Sequence, residues 1–146
     1  MDAGQAKRTA GRWVEANAPR WRGLRAAHLV GGITAMPDDT PFPTYKDVDM
    51  HLVFDDGSPS LRPDGPFPGI IEVSYDGILI EAGVKSVAEY RSPEAVLANP
   101  EVAYHLTVES SLYDPNGLLD GLREGIDNLI RRERNPVRSM RYSGYE

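Results

Sequence analysis

Two aspartates and a glycine pair offer the clearest chemistry in this chain. Asp47-Val48-Asp49 opens an alternating run that ends at Phe54. Val48, Met50, Leu52 and Phe54 fall on one side of that run, and Asp47, Asp49 and His51 on the other, because strand side chains repeat every two residues. Neighbouring carboxylates repel, and Asp is a poor strand former, so the pair calls for a counter-charge. Mg²⁺ suits it, as a hard cation that takes oxygen ligands and shares one or two carboxylates with substrate phosphates, with Mn²⁺ as an alternative. Two such ions roughly 4 Å apart clamp the attacking and leaving oxygens of an in-line phosphoryl transfer. Gly31-Gly32 ends an apolar run fifteen residues before Asp47. Without side chains, its backbone N–H groups can approach a phosphate closely. A third carboxylate from an adjacent strand would close the site. Glu72 and Glu81 both lie in apolar runs, and Gly83 on the face of Glu81 leaves room for a ligand.

The elements that must position these groups are legible from periodicity and punctuation. Ala6, Ala10, Trp13, Val14 and Asn17 share helical spacing, which predicts a helix over 3–18 closed by Pro19. Trp13 and Trp21 are expected to pack in the core. Leu24 to Val30 reads as a strand leaving the sheet through the Gly-Gly turn. Residues 37–46 read as a loop, and 55–69 as a long turn or flap; seven of the twelve prolines lie between 37 and 68. Ile70–Tyr75 and Ile78–Val84 flank Asp76-Gly77, the preferred two-residue hairpin connection. Ser92 and Pro93 start a helical stretch that Asn99-Pro100 divides in two. Val108–Tyr113 reads as a further strand and 114–117 as a turn. Leu118, Leu122, Ile126, Leu129 and Ile130 form the stripe of a last helix, ended before Asn135-Pro136. The expectation is a small α/β (α+β) domain over 1–130, a mixed β-sheet flanked by helices, followed by a flexible Arg-rich tail over 131–146.

Composition removes several classes of function. The chain has 146 residues, 40% of them apolar and 26% charged, which fits one soluble domain. It has no Cys, which excludes disulfides, thiolate metal sites and a Cys nucleophile. Its three His lie far apart in sequence, which argues against a zinc site built mainly on His. No apolar run approaches the ~20 residues of a membrane span, and residues 1–10 carry no apolar signal core, so a cytoplasmic protein is expected. Charge is segregated, at +4 over residues 1–25, −13 over 26–130 and +3 over 131–146. The acidic centre argues against a broad nucleic-acid surface despite the Arg-rich end. Lys85 and Arg91, near the hairpin end, are expected at the surface.

Gly-Gly after an apolar strand, a spacer, Asp-x-Asp alternating with apolar residues, and a carboxylate on a later strand resemble the signature of the nucleotidyltransferase superfamily, which has the polymerase-beta-like fold. Glu81 through Leu97 and Leu112 through Gly117 are similar to the bacterial stand-alone members related to aminoglycoside nucleotidyltransferases, and the resemblance covers about residues 24–130. It implies Asp47, Asp49 and Glu81 as catalytic metal ligands, with Glu81 helping to activate an acceptor hydroxyl. It implies Gly31 and Gly32 as the cradle for a nucleoside triphosphate tail. The implied reaction transfers a nucleoside monophosphate to a hydroxyl acceptor and releases pyrophosphate. The chain departs from the family pattern at Gly32, where Ser is commoner, at Lys46, where a small polar residue often stands, and in its long Pro-rich spacer. Larger relatives add a C-terminal helical domain, so the acceptor site is expected to be completed by a second copy or a partner protein, unless the chain is a minimal form or a fragment. The competing expectation is a non-catalytic binding or regulatory module on the same fold, as in a toxin–antitoxin pair.

Overall fold

A computed structural model describes residues 1–55, 69–106 and 109–134. The expected flap, apart from its first and last residues, and the tail from residue 135 onward lie outside the described residues. Helix α1 (Ala3–Asn17) starts with a reciprocal cap. The Asp2 carboxylate accepts from the Gln5 N–H, and the Gln5 side chain accepts from the Asp2 N–H, each at 2.8 Å. Five strands follow: β1 (Leu24–Val30), β2 (Asp47–Phe54), β3 (Ile70–Tyr75), β4 (Ile78–Ser86) and β5 (Ser111–Tyr113). The helices α2 (Pro93–Leu97), α3 (Pro100–Leu106) and α4 (Leu118–Arg134) complete the described chain. The predicted break at Asn99-Pro100 falls between α2 and α3, and the Ser92 hydroxyl caps α2 by accepting from the Ala95 N–H. The last helix ends at Arg134, as the stop at Asn135-Pro136 predicts, so residues 131–134, expected in the tail, belong to α4.

The strands form one mixed sheet in the order β3-β4-β2-β1-β5. Only the β2–β4 pair is parallel. The β3–β4 hairpin turns through Asp76 and Gly77, both with positive φ, as a two-residue turn of this sequence requires. β4 extends to Ser86, two residues past the predicted end, because Lys85 and Ser86 pair with Val53 and Phe54.

Two apolar layers clamp the sheet. On one face, Ala6, Ala10, Trp13 and Val14 of α1 pack with Leu29, Val48, Met50, Leu52, Ile80 and Ala82. Trp13 and Trp21 meet edge to face in this layer, their ring centroids 5.2 Å apart. On the other face, Ala26 and Val53 pack with Tyr90, Val96, Val102, Leu106, Leu119, Leu122 and Ile126. The second layer covers only the Ala26–Val53 end of that face. The row one step further along holds His28 paired with His51, and the next holds Val30, Asp49 and Glu81. Tyr90 and α3 extend over the histidine row, and Asp49 and Glu81 beyond it are half-buried.

Candidate metal and nucleotide site

Asp49 and Glu81 are direct neighbours in the parallel β2–β4 register. Asp47 stands two residues before Asp49 on the same side of β2, as the alternation requires. One carboxylate oxygen from each of Asp47, Asp49 and Glu81 lies within 4.8 Å of the others. Glu72, the competing third carboxylate, pairs with Glu81 across the antiparallel β3–β4 ladder, one strand further from the aspartates. Tertiary register therefore places Glu81, and not Glu72, in the group. The Asp49 carboxyl is held above its usual proton affinity by burial and by the charge of Asp47, and Lys46 partly offsets this. The Glu81 carboxyl is raised by Asp49 first, then by burial and Asp47. These are the signs of like charges forced together. Three hard oxygen donors with a shared excess of negative charge suit a divalent cation such as Mg²⁺ or Mn²⁺.

Gly31 makes the approach to these carboxylates possible. Its φ is +75°, and a Cβ there would stand 2.7 Å from Asp49 Oδ2. No other residue fits a turn that both needs positive φ and packs its Cα on a carboxylate. Gly32 opens a 3₁₀ turn, Gly32–Ala35, and a Cβ on it would meet the Lys46 ammonium at 3.3 Å. Lys46 and Gly32, two of the departures from the pattern that the sequence resembles, thus lie against each other. The Gly31 N–H is not open to solvent: it donates to His105 Nε2 at 2.9 Å. His105 Nδ1–H in turn donates to the Glu101 carbonyl at 2.7 Å. A backbone N–H on one side and a carbonyl on the other make His105 Nε2 the acceptor and Nδ1–H the donor. Sequence analysis assigned this residue no part in the site.

The three histidines, distant in sequence, gather in space. His28 and His51 face each other across β1 and β2, with ring centroids 5.2 Å apart. His28 Nδ1–H donates to the Leu29 carbonyl at 3.0 Å, so its Nε2 is the acceptor, and the Tyr90 hydroxyl donates to it at 2.7 Å. The single Tyr90 proton is then used, and His51 Nδ1–H donates to the Tyr90 oxygen at 3.3 Å. Every proton in this chain runs one way. Its last member, His51 Nε2, carries a bare lone pair. Burial pushes His28 down to about 4 and His51 down to about 3, the latter with help from its neighbour His28. Burial also drives the Tyr90 hydroxyl well above its usual value. All three groups on this seam are therefore neutral at neutral pH.

A cavity of about 350 Å³ joins the two clusters. Gly31, Asp49 and Glu81 line it together with His51, Lys85, Glu101 and His105. Gly83 lines the same cavity, as expected, and a Cβ there would lie 3.3 Å from His51 Cδ2. Lys85 belongs to the cavity wall and not merely to the surface. The signal that would have found these groups is the His28–His51 register, which becomes visible only when β1 and β2 are paired.

No helix among the described residues is long and apolar enough to cross a membrane. Neither a scan against protein-family models nor a search of curated proteins finds a match for this chain.

Proposed function

We propose that this chain is a metal-dependent nucleotidyltransferase with the polymerase-beta-like fold, which moves a nucleoside monophosphate from a nucleoside triphosphate to a hydroxyl acceptor. The observation that carries the reading is the group Asp47, Asp49 and Glu81, converging within 4.8 Å beside a glycine turn. Asp47, Asp49 and Glu81 would hold Mg²⁺. Once bound, Mg²⁺ neutralises the phosphates and stabilises the charge of the leaving pyrophosphate. The acceptor oxygen attacks the α-phosphorus, the bond to the bridging oxygen breaks, and pyrophosphate leaves. Glu81, whose proton affinity is raised chiefly by Asp49, takes up the hydroxyl proton as the O–P bond forms. The Gly31–Gly32 turn would approach the triphosphate tail, and the Lys46 ammonium, 3.3 Å from where a Gly32 Cβ would stand, would supply positive charge beside it. Positioning and charge stabilisation then provide most of the acceleration.

One observation favours a second reading. The Gly31 N–H, expected to meet phosphate, is already bonded to His105. A non-catalytic module on this fold has no use for that amide and would keep it capped.

Thermal unfolding with each of the four nucleoside triphosphates, with and without Mg²⁺, separates the two. Ligand at about 100-fold over its dissociation constant stabilises by roughly 2.7 kcal/mol, a shift of about 5–11 °C at this size. A shift that needs both Mg²⁺ and a triphosphate, and that is lost in Asp49→Asn, supports the enzyme. The absence of any shift supports the module.

A further inference from the structure

One part of the cavity wall presents two hydrogen-bond acceptors, His51 Nε2 and Glu101 Oε1. His51 is 5% exposed. Its Nδ1 is committed to Tyr90, and its bare Nε2 has no hydrogen-bond partner among the described residues. Glu101 Oε1, itself an acceptor, lies 4.0 Å away and lines the same cavity. A lone pair that opens into a cavity beside a carboxylate calls for hydrogen-bond donors. The one-way chain from the Leu29 carbonyl through His28 and Tyr90 holds that lone pair in place. Two adjacent acceptors call for two adjacent donors. An ammonium group would meet them too, but Lys85 already brings a cation to this wall. A pair of neighbouring hydroxyls satisfies both without adding charge.

Resting on the nucleotidyltransferase reading, we propose that this part of the cavity takes the ribose of the donor nucleotide, with His51 Nε2 and the Glu101 carboxylate accepting from its 2′ and 3′ hydroxyls. The spacing agrees. His51 is two residues beyond Asp49 on the same strand face, about 7 Å along β2. A furanose carries its hydroxyls a comparable distance from the α-phosphate. The site therefore selects ribonucleotides over their deoxy forms.

The test is calorimetric titration of the full chain with Mg²⁺ and each of the four nucleoside triphosphates, followed by the 2′-deoxy and 3′-deoxy forms of the one that binds. The wild type should bind each deoxy form about tenfold more weakly, the effect of one lost hydrogen bond at a buried acceptor. His51→Phe should erase one of the two preferences while the doubly deoxygenated triphosphate still binds normally. Glu101→Ala, a change at an exposed position of α3, should erase the other. It keeps the test intact should His51→Phe fail to fold, as circular dichroism will show. Equal affinity of the wild type for ribose and deoxyribose forms overturns the proposal, as does a preference that survives both substitutions. Binding of no triphosphate at all overturns the nucleotidyltransferase reading itself, a different and recognisable result.

Discussion

Acid should dismantle this protein through its buried histidines. The imidazole of His28 sits at 0% exposure and that of His51 at 5%, and burial lowers them from 6.5 to about 4 and about 3. Above pH 6.5 both are neutral in the folded and the unfolded chain, so their contribution to stability is fully present. Below 6.5 the unfolded chain binds protons that the folded chain refuses, and stability falls with pH until the folded values are reached. At pH 4.5 each histidine has cost about 2–3 kcal/mol, from 1.36 kcal/mol per unit of differential protonation. Together they remove ~5 kcal/mol, comparable to the whole stability of a small domain. Asp49 and Glu81 act in the opposite sense, since their raised proton affinities let acid relieve their repulsion. The isolating measurement is therefore a difference. Urea unfolding at pH 7.5, 6.5, 5.5 and 4.5 is compared between the wild type and His28→Phe. The wild type should lose stability steeply below pH 6.5, and the variant should lose about half as much. A flat wild-type profile down to pH 4.5, or an unchanged slope in His28→Phe, would refute the assignment of these imidazoles as neutral.

Three further outcomes follow from the packing. Asp49→Asn should abolish Mn²⁺ binding, read by electron paramagnetic resonance, while stabilising the metal-free chain by about 1 kcal/mol, as removal of functional strain commonly does; a destabilised variant that still binds metal contradicts the site. Gly31→Ala forces a side chain into φ +75° and to 2.7 Å from Asp49 Oδ2, and should cost about 1–3 kcal/mol in chemical unfolding and weaken Mn²⁺ binding with it. Gly125→Ala places a Cβ 2.3 Å from Pro93 Cγ, where α4 crosses α2, and should cost about 1–3 kcal/mol in thermal unfolding without changing metal affinity.

The sequence by itself determined the local structure of this protein. Periodicity and punctuation act within a few residues, and they were enough to place α1, β1, β2, the β3–β4 hairpin and the helix break at Asn99-Pro100. The alternation of β2 put Asp47, Asp49 and His51 on one side of a strand, because that period is a property of the strand alone. Which partners met that side was decided by tertiary structure. The parallel pairing of β2 with β4 chose Glu81 over Glu72, and no local signal encodes the register of strands separated by a long loop. The antiparallel pairing of β1 with β2 brought His28 against His51. The turn from β4 into α2 delivered Tyr90 between them, and α3 delivered His105 to the Gly31 N–H. Each contact joins residues far apart in the chain, held by the burial of two apolar layers. The carboxylates announced themselves because like charges in a strand are costly anywhere. The histidines did not, because a buried imidazole looks ordinary until its partners are known.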